Sequence, residues 1–154
     1  MISRVEDSIV DNRGSLHMVP VDFDIKHQFL SCSWADVVRG MHYQTDTVKR
    51  VTVVEGEILD VGLCLVTGRY QKVVLGPGDT VCIPLYMAHG FWASTDCTIL
   101  YQYSQPWNPD DEYTISPVDS FLDLPWKHDD ANLIISDKDR NAPTWKEFQD
   151  VHNP

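Results

Sequence analysis

Between residues 15 and 104 the chain is a succession of short apolar or alternating runs cut by turn signals. The runs cover residues 15–21, 28–33, 37–43, 49–54, 57–66, 70–75, 79–83, 90–93 and 97–104. Between them stand Asn12-Arg13-Gly14, Glu55-Gly56, Thr67-Gly68, Gly76-Pro77-Gly78 and Ser94-Thr95-Asp96. Segments this short cannot be helices of ordinary length, and strands at this spacing predict an all-β sandwich or barrel. Past Ser104 the pattern stops. Pro106, Pro109, Pro117 and Pro125 lie among acidic residues, which predicts an ordered wrap with little regular structure. Thr144-Trp145-Lys146-Glu147 then reads as a capping box opening a short helix to about Val151. No internal repeat or low-complexity tract divides the chain, so residues 1–154 are expected to form one domain.

A formal net charge of −11 excludes a general nucleic-acid binder, which needs a basic footprint to neutralise phosphates. No apolar run reaches the roughly 18 residues of a membrane span, and Met1-Ile2-Ser3-Arg4-Val5-Glu6-Asp7 lacks a signal-peptide core, so secretion is not expected. Cys32, Cys64, Cys82 and Cys97 are far apart, with no CxxC pair and no zinc-like spacing. They read as reduced core thiols of a cytoplasmic protein.

Gly78-Asp79, then Ile83-Pro84, then His89 places a glycine turn, a short strand, a proline-marked loop and an inward histidine in succession, a pattern common in cupin barrels. Further patterns appear in order: Asp11-Asn12-Arg13-Gly14, Arg39-Gly40-Met41-His42-Tyr43-Gln44, Lys49, Gly56-Glu57-Ile58-Leu59-Asp60-Val61, Ala88-His89-Gly90-Phe91, Tyr101, Asp119 seven residues before Trp126, and Ser136-Asp137-Lys138-Asp139-Arg140-Asn141-Ala142-Pro143-Thr144. Together these resemble the dTDP-4-dehydrorhamnose 3,5-epimerase family, from its DxRG turn and RGLHxQ stretch to its closing SxKDxxAPT run.

The resemblance implies a double-stranded β-helix, a cupin-type jelly roll, with a short C-terminal helix. It implies an isomerase that works without a cofactor or metal on a nucleotide-linked 4-keto-6-deoxy sugar, inverting C3, C5 or both through an enolate. It also implies a homodimer, with an N-terminal strand completing the partner's sheet.

Such a reaction needs a base, a partner for the enolate oxygen and an acid on the opposite face of the ring. The resemblance assigns His42 as base and Tyr101 as acid. Histidine suits the first role because its ordinary pKa of about 6.5 leaves it largely neutral at pH 7. Asp119 is expected to hold the second imidazole nitrogen, Lys49 to face the ketone oxygen, and Arg39 to fork onto the diphosphate. On a chain this acidic, the few basic residues must anchor an anionic ligand. His89, Asp60, Arg13, Gln44 and Trp107 complete the expected binding set.

Each residue alone has a plainer reading: His42 as a satisfied structural histidine, Tyr101 as a core aromatic, Asp119 as a turn residue, Lys49 and Arg39 as solvated charges. The ordered set of motifs favours the functional reading.

Strand alternation supplies a check. It puts His42 with Val38, Gly40 and Gln44 but opposite Arg39, so both can reach one cavity only if Gly40 marks a bulge. Tyr101 and Tyr103 share a face.

Several departures from the family concern the nucleotide. Phe29-Leu30-Ser31-Cys32-Ser33 stands where the family has QxNxS, Cys64 where it often has aspartate, and Thr52 where it often has a basic residue. No arginine lies near Asp110-Asp111-Glu112-Tyr113, and Trp107 replaces a family aromatic. Three other readings compete. A metal-dependent cupin lacks its HxH pair here, because Tyr43-Gln44 follow His42. A 3,4-ketoisomerase favours paired histidines, and a non-catalytic sugar-binding barrel leaves the acid–base set unexplained.

Overall fold

The computed structural model describes residues 8–18, 23–126 and 132–152. Its centre is a pair of facing sheets. One has the order β3 (His27–Ser33), β10 (Cys97–Tyr103), β5 (Lys49–Glu55), β8 (Thr80–Ile83). The other has the order β11 (Tyr113–Thr114), β4 (Val37–Tyr43), β9 (Met87–Ala93), β6 (Ile58–Cys64), β7 (Tyr70–Leu75). The short strand β12 (Ile134–Ile135) joins β4 in parallel, whereas the other pairings are antiparallel. This is the β barrel that the turn spacing predicts. A separate hairpin, β1 (Ser8–Asp11) and β2 (Gly14–His17), precedes it. The expected strand at 15–21 therefore begins one residue earlier and is described only to His17, with residues 19–21 outside the described segments.

Apolar residues segregate into two cores. Between the sheets lie Val51, Val53, Ile58, Val81, Phe91 and Ile99, with Tyr101 and Tyr103 at one end. Behind the second sheet, Val38, Met41, Val61 and Leu63 are covered by Ile115, Leu122, Trp126, Trp145 and Phe148 of the C-terminal wrap. Strand β6 shows why both form: Ile58 faces inward while Val61 and Leu63 face outward, as two-residue alternation demands. Among the described residues, α-helices α1 (Asp137–Arg140) and α2 (Trp145–His152) follow the last strand. The expected capping box opens α2: the Thr144 N–H donates to Glu147 Oε2 at 2.7 Å, and the Glu147 N–H to Thr144 Oγ1 at 3.3 Å.

The structure departs from the sequence reading in identifiable places. Strand β9 starts at Met87 rather than Gly90, because Met87, Ala88 and His89 continue the ladder with Cys64, Leu63 and Gly62. Strands β11 and β12 and helix α1 are too short to show a period. Cys32 is exposed rather than in the core; Cys64 and Cys82 are partly buried and Cys97 buried, all four unpaired.

The expected irregularity at Gly40 is present. The β4–β9 register shifts between Arg39 and His42. Gly40 has φ +139°, and a Cβ there would fall 2.5 Å from the Gly90 Cα. Only a glycine pair permits this approach of the two strands. The peptide Gly40–Met41 is cis. After the shift, Met41 and Tyr43 join the outer core, so Arg39, His42 and Gln44 all face the space between the sheets.

Candidate functional site

At the end of the barrel beyond the inner core, the two sheets enclose a cavity of ≈160 Å³. The second sheet contributes Arg39 and His42 from β4, with Gln44 just past its end, and His89 from β9. The first contributes Phe29 and Ser31 from β3, Lys49 from β5, and Tyr101 and Tyr103 from β10. Glu112, just before β11, closes one side. Histidine and phenol thus stand on opposite walls.

Register explains the gathering. His42 and His89 are directly opposed across β4 and β9, and Tyr103 opposes Lys49 across β10 and β5. A larger hollow of ≈930 Å³ opens nearby and shares Glu112. Tyr43, Tyr113, Pro143 and Phe148 give it largely apolar walls, whereas His42 and His89, each paired with an aspartate, line the smaller cavity.

The ionisable groups are held by partners. His42 Nε2 lies 2.8 Å from Asp139 Oδ1. Asp139 also accepts from the Gly40 N–H at 3.3 Å, and its own N–H is held by the N-cap Ser136. Burial raises the Asp139 carboxyl, but the hydrogen bond and charge of His42, the Gly40 N–H and Lys138 outweigh it and hold the group below its ordinary value.

His89 Nε2 lies 2.6 Å from Asp60 Oδ1, and both are buried. Burial lowers the His89 pKa more than Asp60 raises it, so this imidazole is neutral at pH 7 and donates its Nε2–H.

Lys49 is 3% exposed, and its Nζ donates to the His42 carbonyl at 3.2 Å. Desolvation brings it down to about 8, against the opposing pull of Asp60 and Glu112. The Tyr101 phenol is pushed far up by burial and so stays protonated. Arg39 donates from Nε to Ser33 Oγ at 2.9 Å and from Nη2 to the Cys32 carbonyl at 3.4 Å, which fixes an exposed guanidinium at the mouth.

The cavity therefore brings together six of the expected residues: Arg39, His42, Gln44, Lys49, His89 and Tyr101. Asp60 sits one layer behind, holding His89. Asp119 does not meet His42. Its Oδ1 accepts the N–H groups of Phe121 and Leu122, at 2.7 and 3.1 Å, and its Oδ2 that of Trp145, at 2.6 Å. It ties a turn to the start of α2, and Asp139 takes the place beside the imidazole.

Arg13 is likewise elsewhere, exposed on the hairpin and paired with Asp11 at 2.6 Å. Trp107 is 54% exposed and does not line the cavity. The residues missed were Asp139, Glu112, Phe29, Ser31 and Tyr103. Signals existed for Asp139, within the Ser136–Asp139 run quoted above, for Tyr103, which shares a face with Tyr101, and for Phe29 and Ser31, on the strand that stands where the family has QxNxS; Glu112 had none.

Such a site can take a proton from carbon beside a carbonyl, receive negative charge on the oxygen, and offer a proton from the other side. Among the described residues, no group of three or more His, Cys, Asp or Glu is placed to hold a metal ion, and no helix is long and apolar enough to cross a membrane.

Comparison with known proteins gives consistent results. A family model for dTDP-4-dehydrorhamnose 3,5-epimerase matches residues 11–147. The dTDP-4-dehydrorhamnose 3,5-epimerase of Mycobacterium tuberculosis is 34% identical over 140 residues, 83% of this chain and 68% of that protein. A dTDP-4-dehydro-6-deoxyglucose 3-epimerase of Streptomyces bikiniensis is 29% identical over 134 residues, 80% of this chain and 68% of that protein. Among solved structures, an epimerase of M. tuberculosis superposes with a TM-score of 0.86 at 28% identity, covering 95% of this chain and 84% of that one. A 3'-monoepimerase of S. bikiniensis in complex with dTDP-quinovose superposes at 0.87 with 25% identity, covering 95% and 84%.

The two aspartates can be told apart without a substrate. Asp119→Ala removes the acceptor of three N–H groups and is expected to cost about 2–4 kcal/mol in urea denaturation. His42→Ala is expected to raise the Asp139 carboxyl, seen by carbon NMR, because burial is then less opposed. In the wild type, the stability from this depressed carboxyl is present above its unfolded value and lost as pH falls through the folded one. An Asp139 titration indifferent to His42 would show that the two are not coupled.

Proposed function

The chain belongs to the dTDP-4-dehydrorhamnose 3,5-epimerase family, and from that membership we propose that it inverts C3, C5 or both of a dTDP-linked 4-keto-6-deoxy sugar. His42 removes the proton from the carbon beside the ketone, and the pair of electrons left behind moves onto the ketone oxygen. Asp139 holds the imidazole in one orientation and favours the imidazolium that forms. The Lys49 ammonium receives the enolate charge. Tyr101 returns a proton to the opposite face, and proton exchange with solvent resets both groups. Arg39 anchors the diphosphate at the mouth. The ketone already acidifies the neighbouring C–H, so the chemistry calls for no redox cofactor. The single observation that carries this reading is the placement of His42 and Tyr101 on facing sheets around one cavity.

The molecule works as a homodimer in the cytoplasm. Support for the dimer comes from the edge of β3, which no other described strand pairs, with Leu30 63% exposed, and from the apolar Ile9, Val10 and Leu16 on the outlying hairpin. Arg13, held on that hairpin, serves substrate binding from there, and Trp107 offers a ring to the nucleotide. Four unpaired thiols fit a reducing compartment.

In heavy water with a dTDP-4-keto-6-deoxyhexose, deuterium is expected to enter C3, C5 or both by NMR, and to stop entering in His42→Ala. Silence with dTDP-, UDP-, GDP- and CDP-linked ketosugars alike would sink the enzyme reading.

Turnover needs Lys49 as the cation, so kcat/KM is expected to fall as pH rises through about 8. Glu112→Gln removes a negative charge that favours the ammonium and should move this limb to lower pH. A limb that stays or moves upward would remove Lys49 from the oxyanion role. Sedimentation equilibrium at micromolar protein is expected to return twice the chain mass; a monomer refutes the dimer.

A further inference from the structure

One wall of the cavity is built in a way the acid–base set does not account for. Phe29 lies directly opposite Tyr101 in the β3–β10 register. Its ring stacks on Tyr101 at 5.1 Å with 24° between planes, and on Tyr103 at 5.5 Å with 25°. His27 meets the edge of the same slab, 5.9 Å from Phe29 and 6.0 Å from Tyr103. Phe29 is 39% exposed, whereas Tyr101 and Tyr103 are 8% and 7%. The phenylalanine is thus the outermost ring, lying over both phenols where the cavity opens.

From this geometry we infer that Phe29 is a positioning residue: its ring fixes the Tyr101 phenol and keeps water from it, and so governs how faithfully a proton is delivered to the face opposite His42. The inference rests on the epimerase reading above.

A phenol that delivers one proton to one face must neither rotate nor be bypassed by solvent. Across a strand pair, a stacked ring on the mouth side restrains both, since β10 already fixes Tyr101 from the backbone and Val51 flanks it in register on the other side. The raised ionisation of Tyr101, caused first by burial and then by Tyr103 and Asp60, agrees with a dry phenol. An aliphatic polar side chain at position 29, such as glutamine or serine, could not do this, because it has no ring to stack and would draw water to the phenol. The position is also a place where this chain departs from the polar QxNxS pattern, so the ring is a property of this molecule's own wall.

The test compares the wild type with Phe29→Ala and Phe29→Tyr. Ultraviolet difference titration of Phe29→Ala against its parent, both in a Tyr103→Phe background, cancels Tyr43, Tyr70, Tyr86 and Tyr113, so that a shift is credited to Tyr101. In Phe29→Ala, Tyr101 is expected to ionise closer to the ordinary tyrosine value of about 10. On a ketosugar in heavy water, the same substitution should lower kcat about tenfold, a fraction of what a positioned acid contributes, with KM within about twofold. It should also raise deuterium exchange relative to inversion, since abstraction by His42 is untouched. Phe29→Tyr keeps the ring and should restore kcat and the exchange-to-inversion ratio; its added phenol keeps it out of the titration.

A folded Phe29→Ala with unchanged titration and an unchanged exchange-to-inversion ratio overturns the inference. So does a Phe29→Tyr variant no better than alanine. If Phe29→Ala unfolds, Phe29→Leu, which keeps apolar bulk without a ring, decides by the same two readouts. A titration shift in a protein that turns over no ketosugar strikes the epimerase reading and leaves the shielding stack standing.

Discussion

An ammonium sealed between two sheets costs several kcal/mol unless nearby groups answer for it, and Lys49, 3% exposed, sits in that position. The site around it is organised by this cost. Asp60 and Glu112 supply opposing charge, the His42 carbonyl accepts a hydrogen bond, and desolvation still leaves the amine near neutrality at about 8. The carboxylate of Asp60 is in turn held by neutral His89. The cavity therefore contains a cation that is charged at pH 7 but poorly solvated, which is the condition under which it responds most strongly to new negative charge on a bound oxygen.

That arrangement requires two sheets with different duties. The inner core is aliphatic at one end and gives way to ionisable groups at the other, while the second sheet needs a further apolar layer behind it. Strict alternation along β4 would force a choice between Arg39 and His42. The close approach of Gly40 and Gly90 removes the choice by inserting one extra residue, so the strand keeps its outer core contacts and still turns both side chains inward. A methyl group on either glycine would push the strands apart and cost the site its geometry.

The barrel was legible because strands with a buried face show a two-residue period, and most strand bounds in the chain's first two thirds followed from it. The Gly40 shift was legible too, since alternation and the chemistry demanded incompatible faces for Arg39 and His42. The identity of the carboxylate beside His42 was not. Asp119 and Asp139 are both short acids in stretches without strand periodicity, and nothing local says which of them folds back over β4. The choice is made by tertiary contacts: Trp145 donates to Asp119, while Ser136 caps the turn that aims Asp139 at Gly40 and His42. Glu112 was hidden for a similar reason, within an acidic cluster that reads as solvated surface. Phe29 and Tyr103 read as ordinary strand aromatics, and their joint stack depends on a pairing between β3 and β10 that no single segment encodes.

The position of Asp139 also bears on how the molecule is made. Synthesis runs from the N-terminus, so strands β1 to β10 leave the ribosome before the segment that carries this carboxylate. The same segment brings Leu133, Trp145 and Phe148 to cover the outer core. A nascent or clipped chain that has closed its sheets but not received this cover holds His42 without the group that orients it. Orientation of the His42 imidazole and completion of the outer core are then a single event.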